Sequence, residues 1–221
     1  MKVWYIALKK IMNTDIILID IIGFSHNSSQ QQFDIITYLT KSYIKMLQTL
    51  LNNSQMSFSR MIEGIVPTGD GFYCILNPRL KGYGVILGMN FIYFTEHIME
   101  RRVGFLGIKV AVHTGEVYPF TDILGHTNYI GDGLNDCARY LQIKNVTASA
   151  LITSIPAFES FEKFLSSHPD FEELVIQREL KRSSLQEFED KHGKIRAAYL
   201  VWLRRSGVIN PPNINFNSLL K

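Results

Sequence analysis

The chain has 221 residues, 46% of them hydrophobic and 19% charged, with a formal net charge of +3. This supports one substantial core and excludes a disordered chain, as do its fourteen Phe and ten Tyr. The mild, dispersed positive charge excludes nucleic acid as the main partner.

No apolar run reaches the roughly 18–20 residues of a membrane span. The run from Val85 to Phe94 is broken by Gly88 and Asn90. Met1-Lys2-Val3-Trp4-Tyr5 has no signal-peptide core, so a cytoplasmic protein with no membrane partner is expected. Cys74 and Cys137 lack metal-ligand spacing and read as buried free thiols.

In chain order, an Ile-rich run at 15–22 predicts a buried strand. Ser28 or Ser29 caps a helix whose apolar face carries Phe33, Ile36, Leu39, Tyr43, Met46, Leu47 and Leu50, ending near Asn52-Asn53-Ser54. Segments 57–66 and 71–76 flank a Gly69-Asp70-Gly71 turn and predict a hairpin. A helix over 83–102 ends in Glu100-Arg101-Arg102, with cations suited to a helix C-terminus. A strand at 107–117, a short strand at 126–130 and a helix from an Asp132 cap to about Gln142 follow. Then come a strand near 149–153, a helix near 156–166, and strands near 172–181 and 195–204.

The order is that of an α+β fold, a ferredoxin-like βαββαβ core with a C-terminal β/α extension. The expected division is an N-terminal segment 1–14, a catalytic domain 15–204 and a loosely held tail 205–221 containing Pro211-Pro212. His113 reads as a packed core histidine, and the mixed-charge run from Arg178 to Arg196 as a solvated hairpin. Phe91, Tyr93 and Phe94 read as core or interface.

Asp20 ends the Ile-rich run and Asp70 sits in the hairpin turn, each close to glycine. A carboxylate is costly to bury unless paired or on a metal. Two on strand ends beside flexible backbone point to a divalent cation next to a phosphate-binding loop, hence to nucleotide chemistry.

Four segments line up in order: Ile19-Asp20-Ile21-Ile22-Gly23-Phe24-Ser25, Thr68-Gly69-Asp70-Gly71-Phe72, Val110-Ala111-Val112-His113-Thr114-Gly115-Glu116-Val117 and Gly131-Asp132-Gly133-Leu134-Asn135-Asp136-Cys137-Ala138-Arg139. Together they resemble the class III nucleotidyl cyclases, which include adenylate and guanylate cyclases. The resemblance implies a head-to-tail homodimer with sites at its interface. One protomer would bring Asp20, Asp70 and the Ile21 carbonyl to two Mn²⁺ or Mg²⁺ ions, and amides of Gly23, Phe24 and Ser25, at the start of the first helix, to phosphates. The other would bring Asn135 to the ribose and Arg139 to the pentavalent α-phosphate. Four residues apart, those two share a helix face. Lys109 is a further triphosphate candidate; Lys181 and Arg182 are weaker ones.

Adenylate cyclases read the base with a lysine four residues before the second metal aspartate and an aspartate seven before the ribose asparagine. Here those positions are Val66 and Asn128. Valine cannot hydrogen-bond a base, whereas Asn128 can offer a donor and an acceptor, as uracil does through N3–H and O4. A short chain without purine readers resembles the Pycsar pyrimidine cyclases of bacterial anti-phage defence. That resemblance implies a UTP substrate, a cyclic UMP product and a separately encoded effector that reads it. Cytidylate or purine cyclisation, and a non-catalytic nucleotide-binding sensor, are the alternatives. A diguanylate cyclase is disfavoured, because Gly69-Asp70-Gly71-Phe72 only partly echoes its Gly-Gly-Asp/Glu-Glu-Phe run.

Overall fold

The computed structural model describes residues 11–54, 58–99, 104–144, 146 and 148–204. The expected boundary segments 1–10 and 205–221, the start of the hairpin at 57 and the Glu100-Arg101-Arg102 helix end lie outside these residues.

Strand β1, Met12–Ile21, begins three residues before the expected start and is buried from Thr14 to Ile19. Helix α1, Ser29–Ser54, starts with a capping box. The Ser28 amide donates to Gln31 Oε1 at 2.9 Å, and the Gln31 amide to Ser28 Oγ at 3.4 Å. One helical turn, α2 (Phe58–Met61), leads into β2 (Ile62–Pro67), and β3 is Gly71–Leu76.

Helix α3, Gly84–Met99, is anchored by a carboxylate from β1. Asp15 Oδ2 accepts the amides of Gly82 and Gly84 at 2.7 and 2.9 Å, and Oδ1 accepts the Thr114 hydroxyl at 2.6 Å. Burial pushes the Asp15 pKa up, and these bonds oppose the shift. The chain continues through β4 (Ile108–Thr121), β5 (Thr127–Ile130), α4 (Asp132–Tyr140), β6 (Ala150–Ser154) and α5 (Ile155–Ser167). It then forms α6 (Pro169–Gln177), β7 (Leu180–Arg182), β8 (Gln186–Glu189) and β9 (Ile195–Leu203).

The sheet order is β2-β3-β1-β4-β6-β9-β7, with β5 on β4 and β8 on β9. Its first four strands are mutually antiparallel, as the βαββαβ core requires. The extension joins through the parallel β4–β6 pair. Residues of α1, α3, α5 and α6 form one large core on one face, while α4 packs with Ile16, Leu18, Ala111 and Ile152 on the other.

Three local expectations are corrected. Residues 172–181 are mostly helix, because Phe171, Leu174 and Val175 keep helical spacing behind Pro169. Asp132 lies in the first turn of α4, and Gly131 at φ 139° takes the cap position. The 178–196 run is not fully solvated, since Asp190 and Arg196 are buried. His113, Cys74 and Cys137 are buried as expected, the cysteines as free thiols.

Candidate active site

Strand register builds the acidic end. Asp20 faces Gly71 on β3 and Lys109 on β4, so Gly71, Asp20, Lys109 and Ala150 form one row across four strands. Asp20 follows Ile16 and Leu18 in alternation, so it points to the α4 face. The β2–β3 turn closes with the Thr68 amide donating to the Gly71 carbonyl at 3.0 Å, and the Ile21 amide donates to the Asp70 carbonyl at 3.1 Å. A Cβ on Gly71 would lie 1.8 Å from the Ile19 oxygen, so only glycine lets the turn come this close.

Asp20 is thereby held beside Asp70. Burial, then the Asp70 charge and a hydrogen bond between the two carboxyls, raise the Asp20 pKa from 3.8 to about 6, with Lys109 opposing. Two carboxyl groups pressed together against one lysine are an arrangement a cation would relieve. The Ile21 carbonyl is next in the chain. Among the described residues no group of three or more His, Cys, Asp or Glu converges. A cation held between Asp20 and Asp70 would need further oxygen ligands, a donor set that suits Mg²⁺ or Mn²⁺.

Gly23, Phe24 and Ser25 do not lie on the first α-helix, as the sequence led us to expect. They head a separate 3₁₀ turn, Phe24–His26, five residues before α1. Gly23 takes φ 66°, a left-handed conformation suited to glycine. The amides of His26 and Asn27 close the turn, and the Asn27 side chain ties it to the Gly104 carbonyl at 3.2 Å.

The second set of residues lies elsewhere. Asn135 is exposed and Arg139 half-buried, both on α4. Arg139 Nη1 donates to Asp136 Oδ1 at 2.6 Å, and its Nε lies 3.7 Å from Asp190 Oδ2. Arg196 meets the same two carboxylates, at 2.9 and 2.7 Å. Arg196 sits six rows from Asp20: Ser154, four residues beyond Ala150, faces Ala198, and Arg196 is two further along β9. Six rows are about 20 Å along the strands. One chain therefore carries the acidic pair and Arg139 at opposite ends of one sheet face.

Val66 packs at the edge of the α4-side core with Tyr73 and Tyr129. Asn128 Oδ1 accepts the Tyr129 amide at 2.8 Å, which uses one of its acceptor directions. The Tyr129 hydroxyl donates to the Glu63 carbonyl at 2.6 Å and links β5 to β2, so Val66 and Asn128 belong to neighbouring, tied strands. Arg182 lies over the rings of Phe158 and Tyr199, 4.9 and 4.5 Å from their centres, on the face opposite α4. Asp136, Asp190 and Arg196 escape sequence reasoning; only the place of Asp136 between Asn135 and Arg139 hints at one of them.

No protein-family model matches the chain, and no curated protein does. Solved structures do. The catalytic core of a rhodopsin-guanylyl cyclase with converted specificity, in complex with ATPαS, superposes with a TM-score of 0.52 at 16% identity, covering 90% of this chain and all of that one. The guanylyl cyclase domain of the RhoGC fusion protein from Blastocladiella emersonii, as a double mutant, gives 0.50 at 15% identity, with 90% and 100% covered. A bacterial light-regulated adenylyl cyclase gives 0.55 at 10% identity; 96% of this chain matches 57% of that one. The chain has the fold of class III nucleotidyl cyclase catalytic domains. Among the described residues no helix is long and apolar enough to cross a membrane.

Proposed function

We propose that this chain is a nucleotidyl cyclase acting as a head-to-tail homodimer, converting UTP to 3′,5′-cyclic UMP and diphosphate. The observation that carries the reading is the Asp20–Asp70 pair, held in register on the open part of the sheet face whose far end carries Asn135 and Arg139. About 20 Å apart in one chain, the two groups complete one site only when a second copy is inverted against the first. The exposed Ile65, Phe120, Ile123, Leu124 and Ile130 on β2 and the β4–β5 arm supply apolar surface for that contact. The dimer, its sites and the domain span 15–204 are parts of this proposal.

In the reaction the ribose 3′ oxygen attacks the α-phosphorus, the bond to the bridging oxygen breaks, diphosphate leaves and the 3′ proton passes to solvent. Asp20, Asp70 and the Ile21 carbonyl would hold Mg²⁺ or Mn²⁺, which lowers the pKa of the attacking hydroxyl and neutralises the leaving charge. The Gly23–Ser25 turn and Lys109 hold the triphosphate. Asn135 of the partner copy orients the ribose. Arg139 of the same copy meets the charge that develops on the equatorial oxygens, a task suited to a planar, permanently charged guanidinium.

Val66 and Asn128 carry the base preference, and the absence of purine-reading side chains at both supports a pyrimidine. A second reading is cytidylate cyclisation: the Asn128 NH₂ can donate to cytosine N3, an acceptor, while Oδ1 keeps one acceptor direction beside its bond to the Tyr129 amide. As in the defence cyclases that the motifs resemble, the cyclic product would be a second messenger read by a separately encoded effector.

The test is a competition assay with Mn²⁺ and equal ATP, GTP, CTP and UTP, the cyclic products resolved by mass. Mainly cyclic UMP supports the first reading and mainly cyclic CMP the second. A purine product removes the pyrimidine assignment. Binding without turnover converts the chain to a sensor module.

A further inference from the structure

We infer that Asp190, fixed by Arg196, is a positioning residue for Arg139: it belongs to a closed ring of four charges that aims the guanidinium from behind. The inference rests on the catalytic reading of Arg139 given above.

Two acids and two bases alternate around this ring. Asp136 Oδ1 receives Arg139 Nη1 at 2.6 Å and Arg196 Nη2 at 2.9 Å. Asp190 Oδ2 receives Arg196 Nε at 2.7 Å and lies 3.7 Å from Arg139 Nε. Three elements contribute: α4 carries Asp136 and Arg139, β9 carries Arg196, and the β8–β9 turn carries Asp190.

The members differ in burial, and that assigns their roles. The Asp190 and Arg196 side chains are 1% and 6% exposed, whereas Asp136 and Arg139 are 28% and 27% exposed. The inner pair is rigid. Asp190 Oδ1 also accepts the amides of His192 and Lys194 at 2.9 and 3.1 Å, so with Arg196 Nε its carboxylate has three donors, two of them from a tight turn. The Arg196 hydrogen bond and these amides hold the Asp190 pKa well below the usual carboxylate range against desolvation. Burial works against the Arg196 charge, and the Asp190 and Asp136 carboxylates more than offset it. Arg196 also lies over the Tyr140 ring, 5.8 Å from its centre. A buried, hydrogen-bonded pair is the kind of support that fixes a working side chain.

Arg139 is held by Nη1 and Nε, the groups that face the ring. Its Nη2 takes part in neither contact and has two N–H groups to offer a phosphate oxygen. An unrestrained arginine spreads over many rotamers, and one in the ring is ordered before substrate arrives. Within one chain the ring lies about 20 Å from the residues proposed to hold the triphosphate, so its expected effect is on turnover more than on substrate capture.

The test is steady-state kinetics of Asp190→Asn with the nucleotide that wild type turns over best. We expect kcat to fall about 10- to 100-fold, as a misaimed catalytic group does, with KM within about threefold. A companion experiment adds guanidinium ion to Arg139→Ala. Activity should return partly in that variant, and not in Arg139→Ala/Asp190→Asn, because the ion needs the carboxylates to seat it. Circular dichroism and Tm identify any variant that fails to fold; Asp190→Glu, which keeps the charge, should recover part of kcat. An unchanged kcat in folded Asp190→Asn, or guanidinium rescue that ignores Asp190, overturns the inference while leaving the cyclase reading intact. A wild type that produces no cyclic nucleotide overturns both.

Discussion

The acidic end of the sheet and the α4 end are opposite solutions to the same problem of holding charge. At the acidic end, Asp20 and Asp70 meet with Lys109 opposing the Asp20 shift, and the Asp20 pKa rises to about 6. At the α4 end, two carboxylates and two guanidinium groups close a ring, and Asp190 stays ionised. One end is electrostatically incomplete and suited to receive metal and phosphate; the other is complete within the chain and pre-aimed. The proposed cyclase reaction would draw on both, and within one chain they lie about 20 Å apart along the strands.

Breaking the incomplete end should have the largest effect. Asp20→Ala and Asp70→Ala should each lower turnover by about 10³-fold or more, because the carboxylates proposed to hold the charge-neutralising ions are lost; a cyclic-nucleotide assay at saturating Mn²⁺ checks this. Arg139→Ala should cost about 10²–10³-fold in kcat with little change in KM. Equal loss in KM would make Arg139 a binding residue instead. Next comes Asn128→Ala, which should raise KM for the preferred nucleotide about tenfold, the worth of one hydrogen bond, and flatten the product ratio.

The smaller effects sharpen the electrostatic contrast. Without nucleotide, Mn²⁺ at about 100 times its Kd should raise Tm by roughly 5–10 °C at pH 7.5. The rise should shrink at pH 5.5, where Asp20 is largely protonated and cannot ligate. An equal rise at both pH values, or a full rise in Asp20→Asn, would place the ion elsewhere. Asp20 also predicts a metal-free pH trend. Its folded pKa of about 6 exceeds the ordinary 3.8, so between about pH 4 and 6 the folded chain holds the proton more tightly. Stability then falls as pH rises through that window and stays lower above it. Asp20→Asn should remove the trend and raise Tm at pH 8 by about 1–2 °C, a small gain because Asp20 is partly solvated.

Much of this was legible in the sequence, for local reasons. An Ile-rich run can only be a buried strand, and Gly69-Asp70-Gly71 between apolar runs can only be a turn, so the βαββαβ core follows from adjacent residues. The pairing of Asp20 with Asp70 then follows from the antiparallel β1–β3 register. What was not legible depends on contacts across the fold. The segment near 172–181 was expected as a strand, and only the packing of Phe171 and Val175 in one core shows most of it to be helix. Asp190 and Arg196 belong to a polar run, and no local feature shows that α4 will lie above them and bury them. The phosphate turn was expected at the start of the first helix; the extended Asn27, at φ −84° and ψ 149°, ends the 3₁₀ turn and separates it from α1.

The measurement that bears most directly on the central claim mixes two inactive variants. Asp20→Ala lacks the acidic half and Arg139→Ala lacks the other, yet a heterodimer of the two has one intact site. Equal mixing, with exchange of subunits, should restore activity to about a quarter of wild type, since half of the dimers form with one working site each. No recovery, from variants shown by mass to exchange subunits, would contradict a site shared between two copies of this chain.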